Sequence, residues 1–301
     1  MTPHEHHAHN GNGLALSLAS SELGFNVHAG FLDALTTEAK VFPGHIGAAS
    51  SGSYVGGLYA AGFTPAEIRE ILSTKSMLRS FLEWKGPLRG LGMLMNIPGY
   101  NGLLSGQKVA TYLKRFLGDR LIEECVAAEL SIAVTNLTKG RSEIIKRGPL
   151  VDFIVASCAV PGLFKSREIA GNFYWDGAVS DSSPFYHFIK DERIGQILVH
   201  VITHGQPHLP EAKPLPIAKS FGQAHQIVTD RLLDLAVELG ELSGKRICVL
   251  NTVVPRYRWG KRGTAALLFE AGRQTVLKNI VQIGELAAER EGILMPNESD
   301  V

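Results

Sequence analysis

The 301-residue chain reads as a three-layer α/β/α sandwich around a mostly parallel central sheet. Residues 129–136 (Glu-Leu-Ser-Ile-Ala-Val-Thr-Asn), 196–203 (Gln-Ile-Leu-Val-His-Val-Ile-Thr) and 246–252 are β-branched and apolar, the composition of strands buried on both faces. Segments compatible with helix lie between them, so successive strands need crossover connections and helices on both sides of the sheet. No internal repeat or shift of composition marks a boundary, and one domain is expected over residues 11–301.

The elements follow in order. Residues 13–18 are a short apolar run, a strand; residues 26–35 read as a helix; residues 44–49 read as the next strand, with a small-residue, helix-compatible stretch after Ser50. Thr64-Pro65-Ala66-Glu67 places a cap residue, a proline at the first helical position and an acid at the third, which starts a helix running to about Ser73. Residues 75–106 change character: Met77, Leu82, Leu91, Leu94, Ile97 and Leu103 are interrupted by glycines and prolines without a clean period. They read as an apolar cap or flap, with a lipid-facing role set against an irregular segment that completes the core. The first ten residues, with four histidines, read as a disordered, solvated tail rather than a metal site.

Bulk properties exclude several classes. The net charge of +1 gives no electrostatic basis for nucleic-acid binding. Cys125, Cys158 and Cys248 are odd in number and widely spaced, so neither a disulfide framework nor a zinc site is expected, and a reducing cytoplasm is the simplest location. The first residues lack the basic start and apolar core of a signal peptide, and no run approaches the roughly 20 apolar residues of a membrane span. No metal or cofactor is called for.

The chemistry centres on Ser50, in Ala48-Ala49-Ser50-Ser51-Gly52. An apolar segment, a serine flanked by small residues and a helix make the sequence form of a nucleophile elbow, with Ala48 and Gly52 as its small positions. A serine hydroxyl needs a base. His187, His200, His204, His208 and His225 follow in the chain; His200 lies inside a strand-like run and reads as core, whereas His204 stands at its end beside Gly205. Asp176, followed by Gly177 after an aromatic strand, is the other candidate, although such an aspartate can simply organise its turn.

Taken together, these segments resemble the patatin-like phospholipases. Residues 48–52 with Gly57-Leu58-Tyr59-Ala60-Ala61-Gly62 resemble the family's nucleophile segment, and Ala156-Ser157-Cys158-Ala159-Val160-Pro161-Gly162-Leu163-Phe164 its Ala-Ser-x-Ala-x-Pro-x-x-Phe stretch. Asp176-Gly177-Ala178 matches its Asp-Gly-Gly/Ala motif. The likeness covers roughly residues 13–205.

The resemblance implies a patatin-like fold and a Ser-Asp dyad. Ser50 would attack an ester carbonyl of a lipid or fatty-acyl substrate, Asp176 would take the proton, and water would hydrolyse the acyl-enzyme. Partial burial is expected to raise the Asp176 pKa toward neutrality, with Phe173 and Trp175 supplying some of it unless strand alternation points either one away. The family's glycine-rich oxyanion loop corresponds to Ser21, Glu22, Leu23 and Gly24, where Ser20-Ser21-Glu22 replace the glycine run. That replacement sets a second reading beside the hydrolase, a weak or inactive lipid- or protein-binding module of the same fold. A Ser-His-Asp esterase using His204 is a third. Arg256-Tyr257-Arg258-Trp259-Gly260-Lys261-Arg262 suits either a peripheral contact with an anionic membrane or a solvated loop.

Overall fold

The computed structural model describes residues 13–22, 24–83, 86–205, 217–255 and 263–288; the His-rich first ten residues, Leu23, His208 and the basic-aromatic segment 256–262 lie outside them. The chain runs β1 (Leu14–Leu18), α1 (Phe25–Thr37), β2 (His45–Ala48), α2 (Ser51–Ala60), α3 (Pro65–Ser73), α4 (Lys75–Ser80) and α5 (Gly86–Leu94). It continues through β3 (Gly102–Leu104), α6 (Gln107–Leu117), β4 (Glu129–Asn136), β5 (Arg141–Ile145), α7 (Leu150–Ser157), β6 (Gly162–Phe164) and β7 (Arg167–Ile169). The last elements are β8 (Asn172–Asp176), α8 (Tyr186–Ile189), β9 (Gln196–His204), α9 (Ile217–Leu242), β10 (Arg246–Val254), α10 (Thr264–Lys278) and α11 (Ile280–Ala287).

The central sheet has the order β10-β9-β1-β2-β4-β8-β7, with β5 also paired to β4. The strands from β10 to β4 are parallel, whereas β5, β7 and β8 join antiparallel. Both faces are covered. Leu14, Leu16 and Leu18 of β1 enter one core with α1 and α2, while Ala15 enters a second with Phe188, Ile197, Val199 and Leu233. This period of two with burial on each side is why the strands read as continuous apolar runs. Helices α1 and α10 cross closely because Gly30 and Gly272 face the Phe269 and Val27 carbonyls, where a Cβ would overlap backbone.

Helix α3 begins with a reciprocal cap: Glu67 N–H donates to Thr64 Oγ1, and Thr64 N–H donates to Glu67 Oε2 at 2.8 Å. The 75–106 region is more regular than its glycines and prolines suggest, forming α4, α5 and β3. Its second helix is held from outside, since Arg89 donates both to Glu83 and to the Leu103 carbonyl. Leu91, Leu94, Met95, Ile97, Tyr100 and Leu103 are exposed there. No described helix is long and apolar enough to cross a membrane.

The strand order reverses between β1 and β9, so the loops leaving β1, β2 and β9 open toward one crevice at their carboxyl ends. Ser50, residues 19–22 with Gly24, and His204 lie on those three loops and strand ends.

Candidate active site

Between β2 and α2, Ser50 adopts φ 51° and ψ −121°, a region non-glycine residues rarely occupy. Its partners hold it there. Ser50 N–H donates to Ser157 Oγ at 2.8 Å, and that hydroxyl donates to the Ala133 carbonyl at 2.8 Å. The Ser50 carbonyl accepts from Ser53 Oγ at 2.7 Å and from Cys158 Sγ at 3.2 Å. Burial pushes the Cys158 thiol far up, so it stays protonated and serves as a donor. The small positions of the elbow meet separate neighbours. A Cβ on Gly52 would overlap the Leu18 carbonyl of β1, and one on Gly56 would come within 3.3 Å of the Ala48 methyl. Alanine fits at position 48 because its neighbour one turn into the helix is glycine.

Asp176 ends β8, opposite Val134 of β4. Gly177 follows where a Cβ would overlap the Ala133 carbonyl, so the turn packs directly on the neighbouring strand. Ser50 Oγ donates to Asp176 Oδ2 at 2.7 Å, and Ala178 N–H donates to Oδ1 at 2.8 Å. Only 1% of Asp176 is exposed. Burial pushes its carboxyl up to about 7, against the opposing pull of the Ala178 and Ser50 hydrogen bonds. Phe173 and Trp175 occupy the alternate positions of β8, on the opposite face from Asp176, with Phe173 exposed.

The loop after β1 is held at Ser20, Ser21 and Gly24. Ser20 N–H donates to the Ser182 carbonyl at 2.8 Å, and the two hydroxyls pair at 2.8 Å. Ser21 N–H donates to Ser51 Oγ at 3.2 Å, Ser21 Oγ pairs with His204 Nε2 at 2.8 Å, and Gly24 N–H reaches the Ser21 carbonyl at 3.4 Å. Neither Ser20, Ser21 nor Glu22 takes a positive φ, so the replaced glycine run needs no left-handed backbone here. Gly24 is no left-handed pivot either, with φ −66°; it is required for space, since a Cβ would sit 2.7 Å from Ser51 Oγ. The Glu22 side chain is exposed.

The histidines divide. His204 reaches the loop through Ser21 rather than Ser50, whose hydroxyl donates to Asp176. His187 packs against Phe188, with its pKa pushed down to about 3 by burial. His225 is exposed on α9. His200 is buried, as its place within a strand implies, but it belongs to a polar chain. His28 Nε2 meets the Ala19 carbonyl at 2.8 Å, so it carries the proton; His28 Nδ1 then accepts from His200 Nδ1 at 2.9 Å. His200 Nε2 in turn accepts from Thr252 Oγ1 at 2.9 Å, and Thr252 pairs with Thr275 at 2.7 Å. This chain ends on the carbonyl from which the 19–24 loop departs. Among the described residues, no group of three His, Cys, Asp or Glu side chains is placed to hold a metal ion.

Ser157, Ser53, Cys158 and Ala178 are the site residues that local sequence did not single out. Ser157, Cys158 and Ala178 stand within quoted motifs, but their bonds to the elbow and to Asp176 exist only once α7 and β8 are packed beside it.

A central sheet covered on both faces thus carries a strained serine just after β2, hydrogen-bonded to a buried aspartate. The family profile described as patatin-like phospholipase matches residues 24–189, and the chain belongs to that family of lipid hydrolases. Proteins of Mycobacterium bovis and Mycobacterium tuberculosis, both named as uncharacterized NTE family proteins, are 29% identical over 174 residues, which is 57% of this chain and 44% of theirs. The chain thus spans less than half the length of these curated relatives. In fold it is similar to VipD from Legionella pneumophila, with a TM-score of 0.51 at 14% identity over 89% of this chain and 66% of that one.

Proposed function

We propose that the protein is a metal-independent lipid acyl hydrolase in which Ser50 is the nucleophile and Asp176 the general base. The observation that carries this reading is the 2.7 Å hydrogen bond from Ser50 Oγ to a fully buried carboxylate whose pKa lies at about 7. Asp176 takes the hydroxyl proton as Ser50 Oγ bonds to the ester carbonyl carbon. The tetrahedral intermediate collapses, its C–O bond breaks, and Asp176 returns the proton to the departing alcohol. Water, deprotonated by the same carboxylate, then releases the fatty acid and restores Ser50. Backbone N–H groups from residues 21–24, with the Ser51 N–H at the start of α2, hold the oxyanion. Ser21 and Gly24 exchange their long internal hydrogen bonds, 3.2 and 3.4 Å, for it.

The substrate is a phospholipid or neutral-lipid ester met at a lipid–water surface. Parallel pairing of β3 with β6 sets Leu103 beside Leu163, and Val160 links that apolar face to Ala159, whose carbonyl accepts the Asp176 N–H. Gly90, Leu91, Met93, Leu94 and Leu103 line an open apolar hollow of about 670 Å³ on the same side. This supports a peripheral membrane contact by a cytoplasmic enzyme, with the three free cysteines in keeping. Hydrolysis of a fluorogenic phospholipid and of a short-chain ester by Ser50→Ala and Asp176→Asn tests the reading. Both variants are expected to lose at least about 10³-fold in kcat; undiminished turnover by folded Ser50→Ala overturns it.

A further inference from the structure

Helix α9 carries an apolar seam that the rest of the fold leaves uncovered. Its core-facing side is made by Leu233, Ala236 and Val237, which pack on the second core, and by Gly240 against Ile247. Round the helix from these, Val228, Leu232, Leu235, Leu239 and Leu242 are all exposed. Their spacing alternates four, three, four, three. That is the heptad seam of a helix built to pair with another helix, not the wider stripe of a helix lying on a globular core.

The charges beside the seam select the partner. Arg231 and Glu238, both exposed, flank it one heptad apart on the same side. When two copies of α9 pack antiparallel about a two-fold axis near residues 233–234, Leu232 of each meets Leu235 of the other and Val228 meets Leu239. In that register Arg231 of each copy stands beside Glu238 of the other, twice over by symmetry. A parallel, in-register pair carries Arg231 and Glu238 of the two copies to opposite flanks of the seam, so neither ion pair forms. The core-facing Leu233, Val237 and Gly240 lie on the side of the helix turned away from the seam.

We propose that the protein forms a homodimer through an isologous, antiparallel pairing of α9, with Val228, Leu232, Leu235, Leu239 and Leu242 as its apolar seam and Arg231–Glu238 as its flanking ion pairs. A self-complementary patch of this kind closes as a two-fold dimer rather than a filament. The pairing is independent of the hydrolytic reading.

Sedimentation velocity on the full chain tests it, with circular dichroism to verify folding; the substituted residues are all exposed. The wild type is expected to sediment as a dimer. Leu235→Glu removes the dimer. Arg231→Glu and Glu238→Arg each raise the dissociation constant by about tenfold or more, and the double variant Arg231→Glu/Glu238→Arg restores it toward wild type, because the reversed pairs again oppose unlike charges. A monomer at about 0.1 mM overturns the proposal, as does a dimer indifferent to Leu235→Glu or one that the double variant fails to restore. A monomer whose retention on phosphatidylcholine–phosphatidylglycerol vesicles is lost in Leu235→Glu assigns the seam to lipid and equally overturns it.

Discussion

At the scale of single residues, the site sets backbone strain at Ser50 against the hydrogen bonds around it. A non-glycine residue at φ 51° and ψ −121° costs of order 1–3 kcal/mol. Its N–H is satisfied by Ser157, and its carbonyl by Ser53 and Cys158. Ser157→Ala therefore leaves the Ser50 N–H without its partner, and is expected to cost about 1–3 kcal/mol of stability. It should also lower kcat roughly tenfold with little change in KM, a split visible in steady-state kinetics on a soluble ester. Asp176 carries the opposite kind of cost. Its folded pKa of about 7 is above the ordinary 3.8, so between those values the folded state holds a proton the unfolded state has released. Stability is lost as pH rises through that window and levels off above it. Asp176→Asn removes the penalty. Its unfolding free energy should exceed that of wild type at pH 8, by up to the order of 4 kcal/mol, and by much less at pH 5, as read from denaturant titrations at each pH; an advantage independent of pH contradicts the assignment.

At the scale of elements, the loop after β1 explains how a patatin fold accommodates Ser20-Ser21-Glu22. Side chains do the positioning that glycine conformations would otherwise do: Ser182 holds Ser20, His204 and Ser51 hold Ser21, and the neutral His28–His200 pair holds the Ala19 carbonyl. Burial lowers the His28 pKa to about 4, so this pair stays neutral and keeps its donor–acceptor order through the physiological range. Helix α5 is the other element with a function to test. Leu91→Asp/Leu94→Asp, at exposed positions, is expected to cut hydrolysis of vesicle-borne phospholipid at least about tenfold while leaving a soluble short-chain ester within about twofold. Equal loss on both substrates removes the lipid-facing role. Legibility in the sequence differed sharply between such elements. The capping box at Thr64 and the strand at Glu129–Asn136 were readable because local rules decide them. Helix α5 was not, because Gly90 and Gly92 disfavour helix and its support comes from Glu83 and Leu103, which lie outside it.

At the scale of the molecule, parallel strands with a reversal between β1 and β9 bring segments distant in sequence to one crevice. Ser50 and Asp176 are 126 positions apart yet share a hydrogen bond, and no periodicity in the sequence reports such a pairing. The ordered motifs pointed to these two residues; the direction of Phe173 and Trp175, the partners of the β1 loop and the unpaired seam of α9 emerged only from the packing. The chain matches less than half the length of its curated mycobacterial relatives. The most direct measurement is the rate of covalent labelling by a long-chain fluorophosphonate, followed by intact mass across pH 5 to 9 at about half-unit steps. One adduct is expected, on Ser50, forming with a rate that rises with pH and levels off above about 7, absent in Ser50→Ala and at least about 10²-fold slower in Asp176→Asn. Labelling at Ser50 that is equally fast in Asp176→Asn, or no adduct on the folded wild type, contradicts it.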